Sequence, residues 1–179
     1  MLIEAERAQL LVVDLQERLM PAIAGAGQVI DNTAILLQAA AAHAVPVTLS
    51  EQYPRGLGPT VAPIAALVPC PALAKTAFSC LADPALRDRL AGLRRDQVIV
   101  AGVEAHVCVM QTVLDLRAAG TAVFVVGDAC GSRRDDSHAC ALARMRDAGA
   151  AVVTTEMAVF ELMRTADAPA FRAMSRLIR

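Results

Sequence analysis

Three residues far apart in the chain could do chemistry together: Asp14, Lys75 and Cys108. A carboxylate, an ammonium and a thiol are what a cysteine hydrolase needs. The carboxylate can take the thiol proton and hand it to a leaving amine. The ammonium can hold the charge of a thiolate or a carboxylate where water is excluded. A backbone N–H beside the sulfur can meet a developing oxyanion. Each residue also has a plainer use: Asp14 as a helix cap, Lys75 as a solvated loop cation, Cys108 as a small buried hydrophobe. The choice turns on whether the fold brings the three together.

The elements that would position them can be read from apolar runs and periodicity. The run Val98-Ile99-Val100-Ala101 enters Gly102-Val103-Glu104-Ala105-His106-Val107-Cys108. A helical pattern of Val107, Met110, Val113, Leu114 and Ala118 leaves it. This reads as strand, tight turn and helix, with Cys108 in the first helical turn. Unpaired N–H groups and the helix dipole there favour a thiolate. Asp14 ends the apolar run at 8–13, and Lys75 follows a short strand at 72–74. Further strands are expected at 46–50, 121–126 and 151–154. Helices are expected at 28–43, from an Asp83-Pro84 start to about Gly92, at 137–148, at 157–164 and at 169–178, with a helix or turn at 15–20. Residues 51–59, with two Pro and two Gly, read as a loop.

Alternating strands and helices with wholly apolar strands imply an α/β chain. The expectation is a three-layer, Rossmann-like fold: a six-stranded, mainly parallel sheet with helices on both faces, as a single domain over residues 1–179. Right-handed crossovers place every strand's C-terminal end at one edge, so Asp14, Lys75 and Cys108 should converge there.

Composition narrows the function. The 179 residues carry a formal charge of −1 and no Lys/Arg stripe, which argues against a nucleic-acid partner. The acids at the start, Met1-Leu2-Ile3-Glu4-Ala5-Glu6-Arg7, do not make a signal peptide. The Ala-rich stretch 34–47 is broken by Gln38, His43 and Pro46, so no membrane span is expected. Five cysteines without a CxxC pair suggest neither a disulfide framework nor a zinc finger, and fit a reducing, cytoplasmic location.

Three motifs together resemble a known family. Val13-Asp14-Leu15-Gln16, Lys75-Thr76-Ala77-Phe78-Ser79 and Gly102-Val103-Glu104-Ala105-His106-Val107-Cys108 look like the Asp–Lys–Cys triad of the isochorismatase-like cysteine hydrolases. More narrowly, Glu51-Gln52-Tyr53-Pro54-Arg55-Gly56-Leu57-Gly58 and the ending Leu177-Ile178-Arg179 look like the isochorismatase-domain-containing proteins. The resemblance implies that Cys108 attacks a carbonyl to form a thioester, with Asp14 as acid and base and Lys75 beside them. It implies a cis peptide at Val103–Glu104 and an oxyanion hole from the N–H groups of Glu104 and Cys108. Amide or related C–N bonds of small molecules are the implied targets, and dimers or larger homo-oligomers the implied assembly, which a chain 56% hydrophobic also suits.

Tyr53, Arg55 and Phe78 are expected to line the substrate crevice, with Arg55 able to hold a substrate carboxylate. Where nicotinamidases place Asp and His metal ligands, this chain reads Glu51-Gln52-Tyr53-Pro54, and His43, His106 and His138 make no ligand spacing. No metal and no cofactor are therefore expected. True isochorismatases cleave a vinyl ether without a cysteine nucleophile, so Cys108 favours acyl transfer. A thiol redox role would want a resolving cysteine, and Cys70, Cys80, Cys130 and Cys140 read as inert. A pure interaction role would give no reason to keep Asp14, Lys75 and Cys108 together. Asp128 and Ser132-Arg133 are expected to cap a loop or meet a neighbouring subunit.

Overall fold

In the computed structural model, which describes residues 1–178, six strands form one parallel sheet. They are β1 (Ala8–Val13), β2 (Val47–Gln52), β3 (Leu73–Lys75), β4 (Gln97–Val103), β5 (Ala122–Gly131) and β6 (Ala151–Val153), in the order β3-β2-β1-β4-β5-β6. The helices are α1 (Ala26–Ala42), the single turns α2 (Pro54–Leu57) and α3 (Ala62–Ala65), α4 (Pro84–Gly92), α5 (Met110–Ala118), α6 (Asp135–Asp147), α7 (Thr155–Met163) and α8 (Phe171–Leu177). Of the resembling C-terminal ending, Arg179 lies outside the described residues.

Alternation along the strands sorts the core into two layers. Leu10, Val12, Ile99, Ala101, Phe124 and Val126 pack on one face with Leu36 of α1, Ile64 of α3, Val159 of α7 and Met174 of α8. Leu11, Val13, Val98, Val100, Val123 and Val125 pack on the other with Leu86 and Leu90 of α4, Val113 and Leu116 of α5, and Met145 of α6. The local chemistry agrees with this assignment. Asp83 accepts from the N–H groups of Ala85 and Leu86 and Pro84 opens α4, while α6 carries Asp135 and Asp136 in its first turn and Arg144 and Arg146 in its last. No described helix is long and apolar enough to cross a membrane.

Several boundaries differ from the sequence expectation, and the differences fall near one edge of the sheet. Strand β2 continues through Glu51 and Gln52, and the remainder of the expected loop contains the helical turn α2. Lys75 is the last residue of β3, opposite Gln52, and does not follow the strand. Pro21 does not close a helix at 15–20; it sits inside a short 3-10 turn, Met20–Ala22. Strand β5 does not stop at Val126: after a register break opposite Ala101 it resumes with Cys130 beside Gly102 and runs to Gly131. The segment before Cys108 is a π-turn, Ala105–Val109, and α5 starts only at Met110. The residues buried there are Ala105, Cys108, Val109, Thr112, Val113 and Leu116, so the inward face differs from the expected set, in which Ala118 is exposed.

Candidate active site

The sheet order reverses between β1 and β4, which lie side by side with Val13 opposite Gly102. This is the switch point where an open parallel sheet leaves a crevice. Asp14 follows β1 with a positive φ of 55° and is fully buried. Gly102 has φ 128°, and a Cβ there would strike the backbone of Val13. Only glycine allows the two strand ends to approach this closely. The Val103–Glu104 peptide that follows is cis.

Lys75 reaches the same point from two strands away. Neighbouring strands are spaced at about 4.8 Å, so its side chain must cross over β2. Its Nζ lies 2.7 Å from Asp14 Oδ2 and 2.7 Å from Gln52 Oε1, and the Lys75 and Asp14 side chains are both shut off from solvent. Ser50 Oγ donates to Asp14 Oδ1 at 2.7 Å. Burial opposes the ammonium, but the Asp14 carboxylate and the nearby thiols outweigh it and hold Lys75 above its ordinary pKa.

Cys108 sits in the π-turn, 5% exposed, facing Asp14 and Lys75. Its thiol is pushed up to about 12, first by burial and then by the Asp14 charge, with Lys75 only partly offsetting them. Burial and the Asp14 charge thus act against the thiolate that a helix start would favour. The N–H groups of Val107 and Val109 bond to the Glu104 carbonyl, and that of Met110 to Ala105. Those bonds use the amides on either side of Cys108. The Glu104 carboxylate accepts from Arg133 Nε at 2.6 Å, and His106 Nδ1 is 2.9 Å from Ser132 Oγ, so side chains pin the turn to the end of β5. The Cys108 carbonyl accepts from Thr112 Oγ1, which in turn accepts from the Cys80 N–H.

A cavity of about 360 Å³ opens beside Lys75, lined by Tyr53, Pro54, Arg55, Ala74, Thr76 and Asp83. Tyr53 and Arg55, expected in the substrate crevice, line this cavity, whose lining includes neither Asp14 nor Cys108. Tyr53 is 55% exposed, its ring lies over Gly56, and its N–H bonds to the Lys75 carbonyl. Phe78, expected in the same wall, is 51% exposed and is not among the residues lining this cavity. Asp128 accepts from both the N–H and the hydroxyl of Thr155 at the start of α7, the capping role anticipated for it. Among the described residues no cluster of three or more His, Cys, Asp or Glu could hold a metal ion. Sequence reasoning missed Gln16, Ser50 and Gln52. Gln16 is wholly buried and ties β1 to the next loop, donating to the carbonyls of Gln52 and Gly58 and accepting from the Gln52 N–H. The available signal was the alternation of Ser50 and Gln52 along a strand taken to end too soon.

Comparison with known proteins places this arrangement. The isochorismatase-domain profile matches residues 8–157. The chain belongs to the isochorismatase family. Isochorismatase domain-containing protein 2A of Mus musculus is 41% identical over 175 residues, covering 97% of this chain and 84% of that protein. A solved structure described as the MAR1 ribonuclease of Caenorhabditis elegans superposes with a TM-score of 0.93 at 36% identity, covering 99% of this chain and 92% of that one. The Escherichia coli YcaC gene product, described as an octameric hydrolase of unknown specificity, gives a TM-score of 0.93 at 26% identity over 99% and 89%. YcaC from Pseudomonas aeruginosa, described with hexane-2,5-diol and covalent acrylamide, gives 0.91 at 26% over 99% and 95%. The isochorismatase family is one of hydrolases.

Proposed function

We propose that this isochorismatase-family chain is a single-domain cysteine hydrolase that cleaves an amide or related C–N bond of a small molecule through a thioester on Cys108. The observation that carries this reading is the buried Lys75–Asp14 pair, 2.7 Å apart, with the Cys108 thiol against it. In the first step Asp14 takes the thiol proton as the sulfur bonds to the substrate carbonyl carbon. The oxyanion that forms is met by the N–H groups of Glu104 and Cys108. Protonated Asp14 then gives its proton to the leaving nitrogen, the C–N bond breaks, and an amine or ammonia departs. In the second step Asp14 removes a proton from water, which attacks the thioester. The C–S bond breaks, the sulfur recovers its proton from Asp14, and a carboxylic acid leaves. Lys75 stays charged throughout and faces whichever partner is the anion. Tyr53 and Arg55 line the cavity that receives the rest of the substrate.

The covalent acrylamide described for the Pseudomonas protein supports an electrophile-reactive site in this fold. The octameric E. coli relative supports a homo-oligomer here, and the cysteines suit a reducing, cytoplasmic setting. The likeness to a protein described as a ribonuclease favours phosphodiester cleavage as a second reading. Against it stand the formal charge of −1 and a triad shut away from a polyanion. Screening small amides for ammonia release, with an RNA oligonucleotide alongside, separates the two. Amide turnover lost in Cys108→Ala is the expected result. Full turnover by Cys108→Ala, or cleavage of RNA with no amide accepted, would refute the covalent reading.

A further inference from the structure

Strand β2 contributes no member of the triad, yet it lies between the two strands that carry Asp14 and Lys75. Side chains two apart on a strand share a face. Ser50 is opposite Val13 and Gln52 is opposite Lys75, so both stand under the path that the Lys75 side chain takes. Ser50 is 1% exposed and gives its hydroxyl proton to Asp14 Oδ1, while Gln52 accepts from Lys75 Nζ. Gln52 is in turn locked, its Nε2 donating to the Thr76 carbonyl and its N–H to Gln16. Each member of the ion pair thus has one neutral hydrogen-bond partner on β2.

We infer that Ser50 and Gln52 are positioning residues that set the proton affinity of the Asp14–Cys108 pair, Ser50 by donating to the carboxylate and Gln52 by accepting from the ammonium without adding charge. The inference rests on the cysteine-hydrolase reading. A donor to a carboxylate favours its charged form, and the Ser50 hydroxyl donates to Asp14 Oδ1, the carboxylate that the reading makes the acceptor of the thiol proton. A hydroxyl is also a rotor. Once Asp14 is protonated, Ser50 can turn to accept from it and donate elsewhere, and the Cys80 thiol lies against both Ser50 and Thr112. The carboxyl can then be base and acid in turn without a buried group losing its partner. A carboxylate at position 52 would instead compete with Asp14 for one ammonium. The groups facing Asp14 are Lys75 from β3, Ser50 from β2, Cys108 from the π-turn, and Cys80 from the turn before α4, while Gln52 of β2 meets the Lys75 ammonium. Glu51 points away, bonded to Thr60.

The test needs no substrate. Acrylamide is reacted with the full chain from pH 4 to 10, and adducts on each cysteine are mapped by mass spectrometry. In the wild type the Cys108 rate should fall at acid pH with a midpoint that belongs to the coupled pair, and Asp14→Asn should replace that limb with one set by the thiol alone. Ser50→Ala should move the midpoint up by about one pH unit, since it loses a hydrogen bond to a charged group, and Ser50→Thr should restore it. Gln52→Glu, at a half-buried position, should move it up as well, and serves where Ser50→Ala does not fold. A uniform loss of rate with an unmoved midpoint in these variants would show a merely structural role and overturn the inference alone. No Cys108 adduct in the wild type, or a limb indifferent to Asp14→Asn, would overturn the hydrolase reading and the inference with it.

Discussion

Removing the Lys75 ammonium is the sharpest perturbation of this molecule, because Asp14 has no access to water. In Lys75→Met the carboxylate keeps only the neutral Ser50 hydroxyl as a side-chain hydrogen-bond partner among the described residues. Breaking a buried pair by deleting one member typically costs about 3–5 kcal/mol, since the other charge stays buried without compensation. For a chain of this length about 1 kcal/mol moves the midpoint of thermal unfolding by about 2–4 °C, so the loss should be about 6–20 °C. Lys75→Met/Asp14→Asn removes the orphaned charge and should regain most of it, which a coupling energy from the four-member cycle would report. The pH dependence has a definite sign. The folded Lys75 pKa is raised above its ordinary 10.5, so the stability it contributes is fully present below pH 10.5 and is lost as pH rises through the folded value. Wild type should therefore lose stability in the alkaline range more steeply than the double variant, with no Lys75 contribution to any change near neutrality. Chemical and thermal denaturation at pH 7 and in the alkaline range read all of this. A single Lys75→Met variant as stable as wild type at pH 7 would show that the pair is not buried and charged as described.

Asp14→Asn, given an activated ester of an accepted acid, should accumulate a Cys108 adduct visible by intact mass after acid quench: the Asp14 charge that raises the thiol pKa is gone, and so is the base for deacylation. Gly102→Ala should cost more than about 4 kcal/mol or give insoluble protein, because its Cβ would meet the Val13 backbone at a positive φ. With iodoacetamide at mildly acidic pH, exposed Cys140 should label ahead of Cys108, whose thiol is buried and raised; Cys108 labelled first would contradict that burial. Light scattering should give a mass above the 18.8 kDa of one chain, and a monomer at micromolar concentration would contradict the proposed assembly.

The layered α/β architecture was legible because wholly apolar runs such as Leu10-Leu11-Val12-Val13 and Val98-Ile99-Val100-Ala101 have few other uses in a chain of this composition. So was the convergence of Asp14, Lys75 and Cys108 on one edge, which follows from parallel strands and right-handed crossovers without any side-chain detail. The state of the thiol was not legible. A helix start promises stabilisation of a thiolate, but the local geometry became a π-turn, and burial beside a carboxylate dominates what remains.

The strand ends were the costliest loss. A β2 that stops at Ser50 makes Glu51-Gln52 a loop and leaves β2 without a function. Two more residues of strand bring Gln52 into register with Lys75 and put Ser50 and Gln52 on one face. Polar residues at the end of a buried strand look like the start of a loop by composition, yet a site at the edge of a parallel sheet needs polar residues there, still in strand geometry. Where an α/β chain places a charged residue just past each of two strands, the strand between them should be extended until its alternate polar side chains are accounted for. In this chain that rule leads from Asp14 and Lys75 to Ser50, which donates to the carboxylate, and Gln52, which accepts from the ammonium.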